Sequence, residues 1–394
     1  MVRSSLGSSA SPTSFARSSL ASRTVTYRRY GWVEIDPAAI TRNVRTLKAL
    51  TRPGTLFMAV VKADGYGHGS LVAARAALAG GADRLGVATL EEAVTLREGG
   101  ISAPLHLLSE PPETGVGIII EHKLIPTLCS REFAVALSRA AMLADVTVRY
   151  HLKVDSGMNR IGVRAEDAND MVAWLKALPG VEMEGVFTHF ATADVPGDWE
   201  FDGQVDRFRR AVERMRTERV RPAIVHAANS AATILHPETH YDLVRCGIAI
   251  YGLHPAESTY GKIELEPAMA VKARVSLVKR IGLGDGVSYG FTYHADGPTT
   301  IATVPIGYAD GVHRVLSNSM DVLIRGVRCR QVGRICMDQF MVQVPDKLGV
   351  TAGDEVVIVG TQGAERILMD EPAGRAGTIN YELACGFALR MGRD

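Results

Sequence analysis

From Gly31 onward the apolar and polar positions fall into two alternating rhythms. Short runs rich in β-branched and other apolar residues predict strands over 56–61, 84–87, 105–108, 125–128, 146–154, 185–188, 223–225 and 243–246. Between them, apolar residues at helical spacing predict helices over 70–79, 90–98, 131–142, 165–177, 201–216 and 230–235. Strand followed by helix, about eight times in roughly two hundred residues, is the arithmetic of an α/β fold of the (β/α)8, TIM-like barrel type.

From about Met269 the rhythm changes. Strand-like segments at 273–281, 300–305, 322–324, 328–332, 341–344 and 355–359 follow one another, separated by turns that include Gly284-Asp285 and Gly353-Asp354. A second, mainly β domain is expected there, with the boundary near Pro255 to Pro267. The division is then 31–262 for the barrel and 263–394 for the β domain, and no internal repeat is evident.

Length and composition agree with that picture. A chain of 394 residues, 46% hydrophobic and 22% charged, has room for a barrel with an appended domain. A net charge of +1 gives no argument for nucleic acid. Apolar runs such as 116–120 fall far short of the roughly 20 residues that cross a bilayer. Cys129, Cys246, Cys329, Cys336 and Cys385 are scattered, without disulfide-framework or zinc-ligand spacing, which fits reduced thiols in a cytoplasmic protein. The first thirty residues differ: arginines and serines abound and no acidic residue precedes Glu34. That is a transit-peptide composition, but a disordered tail or a mis-assigned start explains it equally well and is the preferred expectation for 1–30.

The chemistry concentrates at residues 60–69, Val-Val-Lys-Ala-Asp-Gly-Tyr-Gly-His-Gly. Lys62 falls at the end of the first barrel strand, where such barrels open their active-site face. A lysine held there against glycine-rich backbone sheds its proton more easily and can form a Schiff base. The glycines at 65, 67 and 69 permit a sharp turn, and Tyr66 is placed to reach back over the same mouth. A lone lysine in a βα loop would be an ordinary turn residue; the ten-residue string is what outweighs that.

This string resembles the pyridoxal-5′-phosphate (PLP) attachment signature of the alanine racemase family, and the resemblance runs from about Gly31 to the C-terminus. It implies a PLP-dependent racemase interconverting L- and D-alanine, with D-alanine supplied for peptidoglycan, and a homodimer with shared active sites. Lys62 would carry the cofactor, with Tyr66 nearby. In the segment 151–162, Arg160 is similar to the arginine that contacts the cofactor and helps hold the substrate carboxylate. Lys153 matches a lysine that is carbamylated in some members. Asn159 stands where some members have glycine, and Lys153 with Asp155 reads equally well as a buried ion pair.

His189 and His226 close the sixth and seventh strands. No carboxylate or cysteine pattern accompanies them, so a metal site is not expected; they read as hydrogen-bonding supports for groups touching the cofactor. Asn229 and Ser230 open a helix and resemble the family's phosphate contact, joined by the backbone of Gly247 and Ile248. Arg245 matches the arginine facing the pyridine nitrogen. Arginine cannot hand over a proton at neutral pH, so that nitrogen would stay largely unprotonated and the ring a weaker electron sink. In the β domain, Tyr289 resembles the second catalytic base, Met337 a substrate contact and Tyr381 a residue at the phosphate and entrance, the first two acting across the dimer interface. His189, linked toward Arg245, is the expected influence on the Tyr289 hydroxyl.

Two bases suit a racemase because a proton must leave one face of the substrate and return to the other. Three rivals stand beside this expectation: a broad-specificity or serine racemase of the same fold, a decarboxylase of similar architecture, and a non-catalytic PLP carrier. Arg245 argues against the second, whose pyridine nitrogen meets a carboxylate. The roughly 125 residues after the barrel argue against the third.

Overall fold

The structure, a computed structural model, describes residues 30–387 and 390–393, so the extension expected at 1–30 lies outside the described residues except for Tyr30. The strands run, in chain order, β1 Gly31–Ile35, β2 Leu56–Val60, β3 Arg84–Val87, β4 Leu105–Leu107, β5 Thr127–Leu128, β6 Val148–Asp155, β7 Val163–Arg164, β8 Val181–Phe187, β9 Ile224–His226 and β10 Leu243–Cys246. After them come β11 Met269–Arg274, β12 Leu277–Ile281, β13 Thr299–Val304, β14 Asp321–Ile324, β15 Val327–Val332, β16 Phe340–Val344, β17 Glu355–Gln362, β18 Glu365–Ile367 and β19 Gly392–Arg393.

Eight strands, in the order β4-β3-β2-β10-β9-β8-β6-β5, pair in parallel to form the barrel, with the short β7 alongside β6. The gap between β4 and β5 is bridged at His106 and Ile125: Ile125 N donates to Leu105 O (2.9 Å) and Ile125 O accepts from Leu107 N (3.0 Å). All eight expected barrel strands are present. The helices follow the chemistry of their ends: Thr89 and Glu92 form a reciprocal capping box on helix Leu90–Glu98, and Ser130 caps helix Arg131–Leu143. Fifty or so buried apolar side chains between strands and helices make the barrel's core.

The second sheet runs β12-β13-β16-β15-β14-β17-β11-β1-β19, and a separate apolar cluster packs against it. Here the structure corrects the sequence expectation twice. Gly31–Ile35, counted with the barrel, belongs to this sheet: it pairs antiparallel with β11, Gly31 opposite Ala273 and Ile35 opposite Met269. The strand expected over 273–281 is two strands, β11 and β12, which lie far apart in the sheet order with Val275 and Ser276 as the crossing point.

A helix over Pro37–Ala49, not foreseen above, carries the chain from β1 to the barrel; Asp36 caps it and Pro37 sits in its first turn. It buries Ile40, Val44 and Leu47, and with them Asn43. The Asn43 amide donates to the carbonyls of Ile250 (3.2 Å) and Glu266 (2.8 Å), while its oxygen accepts from Glu266 N (2.8 Å). One side chain thus fixes both ends of the segment that links the domains. Asn43→Ala should lower the unfolding free energy by about 1–3 kcal/mol, because three backbone groups, one buried and two half-buried, lose their partner; a urea denaturation midpoint equal to the wild type would contradict this.

Candidate active site

A cavity of about 460 Å3 opens at the C-terminal ends of the barrel strands, a size suited to one small molecule. Its walls include Lys62, Tyr66, Lys153, Arg160, His189, Asn229, Ser230, Arg245, Gly247, Ile248 and Tyr381. The residues expected around a cofactor are therefore brought together. Tyr289 and Met337 are not among them. They line a separate surface cleft of the second domain with Phe291 and Cys336, and are 72% and 52% exposed.

Lys62 is placed by an uncommon piece of backbone. Ala63, Asp64, Gly65 and Tyr66 have φ values of 51°, 50°, 64° and 52°, a left-handed turn begun as β2 ends. Its backbone is held from several sides. Glu92 accepts from Ala63 N (2.6 Å), Asp64 accepts from Ser70 N (2.7 Å) and pairs with Arg393, and the His68 ring meets the carbonyls of Gly65 (3.1 Å) and Tyr66 (3.0 Å). His68 stacks on Tyr251, whose hydroxyl donates to Val60 O. Gly67, at φ 83°, abuts the second domain so closely that a Cβ there would fall 2.2 Å from Ala384 O. Only glycine fits that approach.

The back of the cavity is cationic. Arg245, 4% exposed, donates to the carbonyls of Thr188 (2.8 Å) and Ala227 (2.9 Å), to His189 Nδ1 (3.2 Å) and to His226 Nδ1 (3.0 Å). Burial pulls its pKa down, to about 9, which still leaves it charged at neutral pH. Burial, and next the charge of Arg245, push the His189 imidazole well below its ordinary value, so it is neutral. The contact foreseen between His189 and Arg245 is made, but Tyr289 of the same chain lines the other cleft.

Lys153 is buried, with its ammonium over the Phe187 ring. Burial, reinforced by Arg245 and Arg160, pushes its pKa down to about 7. The ion pair with Asp155 is not formed: Asp155 Oδ1 accepts from Gly157 N (2.9 Å) and Asn159 N (3.1 Å) and shapes the loop before Arg160. Asn159 takes φ 55°, the left-handed region glycine prefers and asparagine tolerates, so a left-handed turn is reached here without glycine.

At the other side, Asn229 caps helix Ser230–Leu235 through Ala232 N (3.0 Å). The Gly247 amide donates to Ser230 Oγ (3.0 Å), which orients the hydroxyl and leaves its own proton to give. Tyr66 packs on Gly247, where a Cβ would come 2.5 Å from its hydroxyl oxygen, and its ring lies 6.2 Å from that of Tyr381. A primary amine, a fixed guanidinium and a hydroxyl at a helix start thus surround one small space.

Two family models cover nearly all of the chain: "Alanine racemase, N-terminal domain" matches residues 35–255, and "Alanine racemase, C-terminal domain" matches 268–394. The chain belongs to the alanine racemase family. Relatives include the alanine racemase of Symbiobacterium thermophilum, 48% identical over 92% of this chain and 96% of that protein, and that of Desulfovibrio desulfuricans, 44% identical over 94% and 99%. Among solved structures, the alanine racemase of Streptomyces lavendulae superposes with a TM-score of 0.88 at 39% identity, covering 93% of this chain and 97% of that one. The alanine racemase of Bacillus anthracis with bound L-Ala-P superposes at 0.86 and 39%, covering 93% and 95%. The family resemblance and the barrel-plus-β architecture expected from the sequence are both borne out. Among the described residues, no helix is long and apolar enough to cross a membrane.

Sequence reasoning missed His106, His151 and Glu184, whose ligand-type atoms lie within 4.8 Å of one another inside the barrel. Only their inward-facing positions on β4, β6 and β8 could have signalled them. They do not read as a metal centre, because Arg84 donates to His106 Nε2 (3.1 Å) and to both Glu184 oxygens (2.8 and 3.1 Å). A cation already occupies the place a metal would take.

Lys153 also makes stability depend on pH. Its amine titrates near 7 in the folded chain, against 10.5 for a free lysine, so between these values the unfolded chain holds more protons. The cost of burying it is complete below about pH 7 and fades as pH rises. In carbon-dioxide-free buffer, wild type should gain stability relative to Lys153→Leu from pH 6.5 to 9.5. A gap in melting temperature that is flat with pH, or moves the other way, would show that this lysine is not held neutral.

Proposed function

We propose that this chain interconverts L- and D-alanine with PLP held on Lys62, working as a homodimer with shared active sites. What carries the proposal is the convergence of Lys62, Arg245, Ser230 and Tyr381 on one cavity. These residues fit the cofactor: an amine for its carbonyl, a charged donor for its ring, and a serine hydroxyl at a helix start for its phosphate. Tyr66, packed on Gly247, and Tyr381 complete the phosphate side. When bound, PLP supplies the electron-withdrawing chemistry that makes the α-proton of alanine removable.

The protein's part is to place bases and hold the substrate. Lys62 Nζ takes or returns the α-proton on one face. The phenol oxygen of Tyr289 of the partner subunit serves the opposite face, since one base cannot easily reach both. The exposed cluster of Tyr289, Phe291 and Met337 supports this division, because so much bared apolar surface suits burial against a second copy. Arg160 holds the substrate carboxylate, with the backbone at Met337 of the partner subunit. Lys153, partly neutral near pH 7, is suited to carbamylation: its amine adds to carbon dioxide, loses one proton and becomes an anionic partner for Arg160. Arg245 stays charged and donor-only, so the ring nitrogen gains no proton from it. That favours return of the proton to the substrate over diversion to other products. D-alanine made this way would serve peptidoglycan synthesis.

Purified protein should show the absorbance of lysine-bound PLP and form D-alanine from L-alanine, and Lys62→Ala should lose both. Tyr289→Phe should retain PLP and lose L-to-D turnover. Mixing the two inactive variants under exchange should restore about a quarter of wild-type activity, since half the dimers are mixed and each has one intact site. Normal racemisation by Tyr289→Phe, or no recovery in exchanged mixtures, would overturn the shared two-base assignment. PLP bound without turnover of alanine, but with turnover of serine, would favour the serine racemase.

A further inference from the structure

Behind the cavity, a line of hydrogen bonds crosses the whole barrel. From Arg245 on β10 it passes to His226 on β9, then from His226 Nε2 to His151 Nδ1 on β6 (2.7 Å), and from His151 Nε2 to Glu184 on β8 (3.0 Å). Glu184 is gripped from beyond by Arg84, the first residue of β3. Every step is buried or nearly so; His226 and His151 are each 1% exposed. The usual filling of such a barrel is branched apolar side chains.

The direction of each bond follows from its ends. An arginine can only donate, so His226 Nδ1 accepts and its proton sits on Nε2. His151 Nδ1 must therefore accept, and its own Nε2–H points to Glu184, which, as a carboxylate, only accepts. The chain runs one way, from a guanidinium to a carboxylate, and both imidazoles are locked in one tautomer. Burial lowers both imidazole pKa values, and keeps His226 well below the usual range. Burial alone would raise the Glu184 carboxyl, but His151 and Arg84 more than offset it and keep it ionised.

We propose that Glu184 and His151, neither of which lines the cavity, are positioning residues that act through His226 to fix how Arg245 presents its donors to the site. The proposal rests on the reading that Arg245 faces the cofactor. With the far carboxylate gone, the two imidazoles are held in that tautomer from the Arg245 end alone, where the intact line fixes it from both ends. The other tautomer of His226 then becomes easier to reach, and it sets an N–H against Arg245, which must swing away.

The test compares purified wild type with Glu184→Leu and Glu184→Gln, whose amide oxygen still accepts from His151. Nitrogen-15 imidazole shifts should report neutral, Nε2-protonated His226 and His151 in wild type. Glu184→Leu should give mixed tautomers, a weaker PLP affinity and a kcat about tenfold lower, with KM for alanine little changed. Glu184→Gln should restore the tautomers and most of kcat. If Glu184→Leu does not fold, His151→Gln interrupts the same line while leaving the Arg84 and Glu184 pair, and is judged by the same measurements. Nδ1-protonated or charged histidines in wild type overturn the proposal, as do wild-type kcat and PLP affinity in the interrupted variants. A wild type that has the stated tautomers but binds no PLP would instead sink the reading of Arg245 and leave the hydrogen-bond line standing.

Discussion

Three non-glycine residues in a row of four, each held in the left-handed region at about 1–2 kcal/mol apiece, set the terms for this molecule. Ala63, Asp64 and Tyr66 take that conformation only because the surroundings over-determine it. Glu92 comes from the next βα unit, His68 from the turn itself, and Ala384 and Arg393 from the second domain. Lys62 leaves β2 with one direction available, and the parts that enforce it are spread over the whole chain. The second domain is thus part of what aims the lysine, quite apart from the tyrosine it carries on its other face.

The cavity so formed gathers Lys62, Lys153, Arg160 and Arg245. Concentrating like charges in a partly buried space is unfavourable until something anionic enters. Burial first, and then Arg245 and Arg160, lower the pKa of Lys153; a phosphate-bearing ligand would offset the part due to the neighbouring charges. Stability and ligand binding are linked in such a site: whatever binds the folded form alone adds its binding free energy to folding. Glu184 counterbalances the cluster only at a distance, through two imidazoles rather than by contact.

Much of this was legible in the residues. The eight barrel strands are legible as short, mainly apolar runs because parallel strands buried on both faces lack a regular polar-apolar alternation, even with inward polar residues such as His151 and Arg245 among them. The Lys62 string, the Arg160 loop, the Asn229-Ser230 helix start and Arg245 could be located through the family resemblance, and the structure gathers them around one cavity. What was hidden depends on long-range pairing. Nothing in Gly31–Ile35 says that its partner is Met269–Arg274. The helix over Pro37–Ala49, by contrast, carries its own signals in the Asp36 cap and Pro37. The Asp155 carboxylate looked like a lysine partner from spacing, yet the loop's backbone N–H groups claimed it first. His151 falls inside the strand expected over 146–154 and Glu184 just before the one expected over 185–188, and neither is marked in the sequence, since a barrel interior is defined only once the strands have closed.

The placement of β1 has a consequence for how the molecule comes into being. Its strand lies inside the second sheet, between β11 and β19, with Trp32 also opposite Gly392 near the far end of the chain. During synthesis this segment emerges early, yet its neighbours are made only after the entire barrel has passed. Until then five residues with two unfilled edges must wait, and a barrel finished ahead of them holds the waiting strand tethered at its side. Loop closure across that span costs little beyond a shorter one, because the entropy grows only logarithmically with length. Once paired, β1 joins the second sheet to segments that lie on both sides of the barrel in sequence, so neither domain can be cut free at a single point.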